Sequence, residues 1–251
     1  MSEISYFHVD IVFCINCTER MQPVIDSVKE KVRKLPNDIK AAISKDYEYE
    51  GSSRFGSSWP LRRSVRVLRV HRVQRLRVRV VAFRGFSIEP RGLEVSEFFE
   101  LDVPSDFARF ELFLNGLDVN GFEDENSSAL EALAVAMKSE WTDKGDVQRH
   151  IVVMFTDSSA PKIEERVGVV PEVFADEVPS SLVGLAEIWD GAQSEKLKRS
   201  TRRLLIFGPE TYPWNIIGDT WGNTIWLPSQ AGKDLKDFDY SEILSSIAMS
   251  D

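Results

Sequence analysis

Residues 51–88 contain no aspartate or glutamate, although the chain as a whole is acidic, with a formal net charge of -9. The same stretch carries Arg54, Arg62, Arg63, Arg66, Arg69, Arg72, Arg75, Arg77, Arg79 and Arg84, so the remainder is more acidic than the total implies. Cysteine and histidine are scarce: Cys14, Cys17, His8, His71 and His150 are all that 251 residues hold. The C-x-x-C spacing suggests a redox pair or half of a zinc site, but the scattered histidines do not supply the missing ligands. A buried strand thiol followed by a small loop residue is the simpler account. No apolar run approaches the length needed to cross a bilayer, and Met-Ser-Glu-Ile is not a basic, apolar leader, so a cytoplasmic location is expected. A Ser-His-Asp order, a phosphate loop, a dinucleotide glycine motif and a His-rich metal motif are all missing, and a catalytic role is therefore not expected. What remains is an ordinary globular composition, 43% hydrophobic and 28% charged, in a chain long enough to bury one large core. With no internal repeat and no second hydrophobic core, residues 1–251 read as one domain.

The rest of the chain is organised around residues 9–21, Val-Asp-Ile-Val-Phe-Cys-Ile-Asn-Cys-Thr-Glu-Arg-Met. Val9, Ile11, Val12, Phe13 and Ile15 suit a strand buried on both faces of a mostly parallel sheet. Met21, Val24, Ile25, Val28, Val32 and Leu35 then follow at helical spacing. Strand, tight loop and amphipathic helix in that order place any ligand at the loop, beyond the carboxyl end of a central strand. Asn16 to Arg20 are thus the first candidates for function.

Ile-Asn-Cys-Thr-Glu-Arg-Met at residues 15–21 resembles the Ile-Asp-x-Thr/Ser-Gly-Ser-Met segment of von Willebrand factor A (vWA) domains. In that family the Asp and the two hydroxyl residues help hold a Mg²⁺ in a metal-ion-dependent adhesion site. His150-Ile-Val-Val-Met-Phe-Thr-Asp157 is similar to the strand that ends in the family's second metal-site Asp. The resemblance covers nearly the whole chain, in the style of stand-alone bacterial vWA proteins. It implies an α/β, Rossmann-like fold: a mostly parallel central sheet with one antiparallel edge strand and helices on both faces. It also implies a non-catalytic module that binds another protein, such as an AAA+ ATPase or a kinase or phosphatase signalling partner. The departures bear on the metal. Asn16 stands in place of the first Asp, Glu19 in place of Gly and Arg20 in place of the second hydroxyl, which leaves Thr18 and Asp157 as matches. A cation beside the ion position repels it by roughly 4 kcal/mol at 4 Å and an effective dielectric of 20. The expectation is a degenerate site at Asn16, Thr18 and Asp157, with weak Mg²⁺ binding or none. In it the Arg20 guanidinium either takes the cation's space and pairs with Asp157 and Glu125, or points to solvent from the first helical turn.

Further along, Leu35-Pro36-Asn37-Asp38 reads as a break, with a turn or two of helix across residues 39–49. Arg63, Arg66, Arg69, Arg72 and Arg75 recur at a strict spacing of three, which neither a helix nor a strand gathers on one face. Residues 51–75 read as an arginine-rich insertion. It is solvated, docked on the protein's own acidic surface, or binds nucleic acid or another polyanion. Residues 76–83 alternate as the second strand of the resemblance, and residues 95–101 are the candidate antiparallel edge. Ser128 and Glu131 form a capping box before a helix carrying Leu130, Leu133, Ala134, Met137 and Trp141. In the resemblance the loop before that helix reaches the metal, and Glu125 is its nearest counterpart. Partner recognition would then rest on Thr18, Glu19 and Arg20, on the acidic loop Glu123, Asp124 and Glu125, and on the irregular stretch after Asp157.

Overall fold

The computed structural model describes residues 2–43, 46–52, 64–85, 92–117, 119, 127–166, 170, 172–191, 196–229 and 238–248. Among them, eight strands form one sheet. The first strand, β1 (Ser2–Asn16), continues through η-turn residues Glu19–Met21 into helix α1 (Gln22–Ile43). Strands β2 (Asp46–Ser52) and β3 (Ser64–Phe83) are antiparallel neighbours, and β3 also pairs in parallel with β1. Beyond β1 lie three parallel strands, β6 (Val147–Phe155), β7 (Arg202–Gly208) and β8 (Thr224–Pro228). Two short strands, β4 (Leu93–Val95) and β5 (Phe99–Glu100), run antiparallel to the second half of β3. The expected antiparallel edge at residues 95–101 is therefore present as two pieces.

β1 is buried on both faces, and its alternation sorts the core. Phe7, Val9, Ile11, Phe13 and Ile15 pack with α1, α2 (Pro104–Gly116) and α6 (Tyr240–Ala248), whereas Val12 and Cys14 pack with α3 (Ala129–Met137), α4 (Leu182–Trp189) and α5 (Trp214–Thr220). Helices thus cover both faces, as a mostly parallel sheet requires. Burial of this kind stabilises by roughly 1.5–3 kcal/mol for each large apolar side chain.

Three expectations change. α1 does not stop at Pro36 but runs through it, because Leu35, Ile39 and Ile43 continue the buried stripe of Val28 and Val32. Proline removes one helix hydrogen bond, and the apolar contacts of the following two turns outweigh that loss. Residues 46–52 are strand, not the end of a helix. The arginine spacing belongs to a strand: residues 64–75 lie inside β3, and residues 53–63 lie outside the described set. A register shift between Phe7 and His8 marks a bulge at Gln74, so Phe7 pairs with Val73 but His8 with Arg75. Gln74 is held there by a 2.9 Å bond between its Oε1 and His8 Nε2. Opposite, Gly145 has φ +85°, and a Cβ there would lie 2.6 Å from the His8 ring, so this position needs glycine twice over.

Candidate functional site

β1, β3 and β6 end level with one another: Asn16 pairs with Phe83, and Ile15 pairs with Phe155. The next residues of β1 and β6 therefore meet at one edge of the sheet, Asn16 and Thr18 facing Asp157 and Ser158. Asn16 Nδ2 donates to Asp157 Oδ1 at 2.9 Å and to Ser158 Oγ at 3.4 Å. A carboxylate can only accept, so this contact fixes the amide with its nitrogen toward Asp157. Asn16 Oδ1 is left buried without a protein partner, as is Thr18 Oγ1. Thr18 stands at the N-cap of the 19–21 turn, yet its hydroxyl makes no capping bond; its carbonyl accepts from Met21 N at 2.9 Å. Ser127 completes the group. It bridges to Gly85 just past the end of β3, and its buried Oγ also has no protein partner.

Burial pushes the Asp157 carboxyl above the ordinary aspartate range. Its own backbone amide, the charge of Arg20 and the Asn16 amide pull in the opposite direction. Arg20 and Glu19 are exposed at the start of α1. Asp157 thus takes its hydrogen bond from Asn16 and feels Arg20 as a charge through space. Glu123, Asp124 and Glu125 lie outside the described residues. Chemically the described residues of the edge offer the Asp157 carboxylate, the hydroxyls of Thr18, Ser127 and Ser158, and the Asn16 amide oxygen. Among the described residues no three His, Cys, Asp or Glu side chains gather as a metal site. Mg²⁺ asks for an oxygen octahedron, usually with one or two carboxylates. Among the described residues, an amide N–H aimed at the Asp157 carboxylate is a poor start for that shell, so these residues do not fit the ion well.

Reasoning from sequence missed a second set of groups beside this edge. Ser128 and Glu131 do not form the expected capping box: the Ser128 side chain makes no cap bond. Arg166 links them instead, its Nε 3.0 Å from Glu131 Oε1 and its Nη2 3.1 Å from Ser128 Oγ. Both charged side chains are buried, and burial raises the Glu131 pKa while Arg166 opposes the rise. The sequence shows each partner standing alone of its kind, but not that the two meet. Glu131 is the lone charge in a helix buried on every side, and Arg166 is the sole arginine between Arg149 and Arg199.

The arginines divide. Arg63 is outside the described residues, and Arg66 and Arg69 lie on the β3 backbone. Arg72 is exposed and donates to the His71 carbonyl at 3.0 Å. Arg75 is ion-paired with Glu100, which takes it out of a free basic strip. Arg77 and Arg79 turn inward. Arg77 grips Asp10 through Nε at 2.8 Å and Nη2 at 2.6 Å, and Arg79 bonds the Ser96 carbonyl and Ser139 Oγ. Asp10 also accepts from Thr142 N at 2.7 Å, and the Thr142 carbonyl lies 2.9 Å from His150 Nε2. This polar cluster sits toward the far end of the sheet from Asp157, since His150 pairs with Arg202 at the start of β7.

The fold is the mostly parallel α/β sheet that the vWA resemblance implies. No protein-family model matches the chain, and no curated protein sequence does either. Solved structures do. The pilus adhesin SpaC from Lactobacillus rhamnosus GG is similar with a TM-score of 0.53 at 9% identity, over 96% of this chain and 30% of the adhesin. Its open conformation gives 0.51 at 10% identity over the same shares. The vWF domain of the type V pili tip protein Mfa5 from Porphyromonas gingivalis covers 96% of this chain and 95% of its own, at 10% identity and a TM-score of 0.48. This chain therefore spans less than a third of the adhesin's length. Likeness at such identities concerns the fold alone. No described helix is long and apolar enough to cross a membrane.

Proposed function

We propose that the chain is a non-catalytic protein-interaction module of vWA type. It binds a partner protein at the carboxyl edge of its sheet, with weak Mg²⁺ dependence or none. The observation that carries this is the convergence of Asn16, Thr18, Ser127 and Asp157 at the ends of three adjacent strands, with buried oxygens of the first three lacking protein partners. Buried polar groups are rarely left unpaired, and those at a binding edge are completed by what docks there or by water. Support for metal-independent recognition comes from the Asn16–Asp157 hydrogen bond and the nearby charge of Arg20, which together do for Asp157 part of what a cation would do. Support for a non-catalytic role comes from the placement of the described histidines: His8 and His150 lie away from this edge. An AAA+ ATPase or a kinase or phosphatase remains the partner type that the family resemblance implies. Polyanion binding through residues 54–84 is not favoured, because Arg75, Arg77 and Arg79 are engaged within the protein.

The test is affinity capture from the native cell with wild type, Arg20→Ser and Thr18→Val side by side, in Mg²⁺ and in chelator. The expected result is a partner retained by wild type in both buffers and lost with Arg20→Ser. Capture that needs Mg²⁺ and survives Arg20→Ser would sink the metal-independent reading.

A further inference from the structure

Between Asp157 and α4 the chain makes two 3-10 turns, Ile163–Arg166 and Glu172–Phe174; the first of them and residues following the second line an open cleft of about 250 Å³. Ile163, Val170, Val178 and Pro179 give it an apolar lining, with Ala175 and Ser180 nearer the exposed side. Arg166 also lines the cleft, but its Nε and Nη2 are taken up by Glu131 and Ser128, so it does not offer an open hook for an anion. The same bonds tie the cleft to the N-terminus of α3, beside Ser127 and the binding edge. A cavity of roughly 150 Å³ admits benzene, so this cleft has room for a leucine or phenylalanine side chain. Its surroundings are unusual in two ways. Val173 and Val183, which flank it in sequence, are 76% and 69% exposed, among the most exposed large apolar side chains described. Acidic residues adjoin its lining in sequence, Glu164 and Glu165 between Ile163 and Arg166, and Asp176 and Glu177 between Ala175 and Val178; the first three are exposed and Glu177 is half-buried. Glu164 Oε1 accepts from Leu182 N at 3.0 Å, which fixes that carboxylate at the start of α4. Two of these acids have a cation nearby, Arg79 for Glu177 and a lysine for Glu165. Lys162 lies 3.7 Å from Glu165, and Lys138 donates to the Asp176 carbonyl.

An apolar socket framed by carboxylates selects a particular visitor. We propose that this cleft docks a basic segment of the partner protein, seating one leucine- or phenylalanine-sized side chain between flanking lysines or arginines. The proposal rests on the reading of the chain as an interaction module, and deepens it by giving the partner's chemistry. The apolar anchor supplies most of the affinity, and the acidic border supplies selectivity and speeds encounter.

The test uses five-residue probe peptides with a central leucine, phenylalanine or alanine flanked by two lysines on each side, and a leucine peptide flanked by glutamates. Binding is read from methyl NMR shifts of Ile163, Val170 and Val178. The lysine-flanked leucine and phenylalanine peptides are expected to bind at least about tenfold more tightly than the alanine peptide, since most of the anchor's apolar surface is missing from alanine. The glutamate-flanked peptide is expected not to bind. Ala175→Trp, at an exposed position, should fill the mouth and abolish binding, and Glu165→Lys with Asp176→Lys should weaken it. Arg20→Ser should leave peptide binding unchanged. No shift with any peptide, equal binding of the glutamate-flanked peptide, or undiminished binding to Ala175→Trp would overturn the proposal. A wild-type dimer that Ala175→Trp dissociates in sedimentation would assign the cleft to a second copy and overturn it as well. Each of these outcomes leaves the edge at Asp157 untouched, whereas failure of the Arg20→Ser capture experiment bears on that edge and not on the cleft.

Discussion

Arg77→Ala should destabilise the protein severely, although Arg77 lies in the segment that looks most like a solvated basic run. Asp10 is wholly buried and faces Arg77 across the β1–β3 pair. Its carboxylate holds two guanidinium bonds, at 2.8 and 2.6 Å, and one from Thr142 N at 2.7 Å. Truncating the arginine leaves a buried anion with a single backbone donor, and also removes the guanidinium from its place 4.3 Å above the Phe98 ring. Breaking a buried pair in this way costs about 3–5 kcal/mol. Two charge-assisted bonds at about 1.5–3 kcal/mol each arrive at a similar figure. In a chain of this size 1 kcal/mol moves the melting temperature by about 2–4 °C, so a fall of roughly 6–20 °C is expected. Circular dichroism melts and urea unfolding at neutral pH measure it. The double variant Asp10→Leu with Arg77→Met removes both charges and should recover at least half of the loss, because the cost lies in the orphaned charge and not in the missing attraction. A single variant within about 1 kcal/mol of wild type, or a double variant no better than the single, would refute the reasoning.

Asp157→Asn should raise stability near neutral pH. Burial lifts the Asp157 pKa, so the folded chain holds that proton more tightly than the unfolded chain does. Stability contributed at low pH is then lost as pH rises through the folded-state value. Asparagine keeps an oxygen acceptor for Asn16 without the charge, and melting curves from acid to neutral pH should diverge in its favour; a less stable variant at neutral pH contradicts this. His150 behaves in the opposite sense. Its pKa is lowered mainly by burial, so its contribution is full above the ordinary histidine value and lost as pH falls through the depressed one. Thr201→Val with His150→Gln should flatten the acid limb of the stability curve. Titration calorimetry with Mg²⁺ or Mn²⁺ should be flat for wild type and show saturable heat for Asn16→Asp with Arg20→Ser; saturable heat in wild type ends the built-in-cation idea. Electrophoretic mobility of DNA and RNA should show no retained complex across a salt series starting from about 0.05 M, where a multi-phosphate contact is strongest.

Much of this architecture could be read from the residues because period and burial agree there. β1, β6 and β7 are apolar runs bounded by polar turns, and α1, α2 and α6 carry stripes that end up buried. That Asn16 and Asp157 share one edge followed from placing two strand ends side by side, whereas the hydrogen bond between them did not: the expected partner of Asp157 was Arg20. What could not be read was long-range: that Asp10 needs Arg77 and Glu131 needs Arg166 depends on which strands and loops become neighbours. Local pattern misled at Pro36, where a stop signal lost to tertiary packing, and at Ser128, where a capping sequence was recruited by a distant guanidinium. The step-of-three arginines fit neither period because an odd step alternates faces along a strand, and only the interval from Arg72 to Arg75 spans the extra residue Gln74.

That extra residue, Gln74, makes chain length a structural variable. A strand keeps one set of side chains on each face only while its count is unbroken. Removing Gln74 would leave the pairs Phe7–Val73 and His8–Arg75 as consecutive rungs of an unbroken ladder, with Val73 and Leu76 still on the α1 side. A deletion between Leu76 and Phe83 meets no such slack and would turn part of β3 over. The protein should therefore accept the loss of Gln74, at the cost of its bond to His8, yet reject the loss of one residue from the regular half of the same strand.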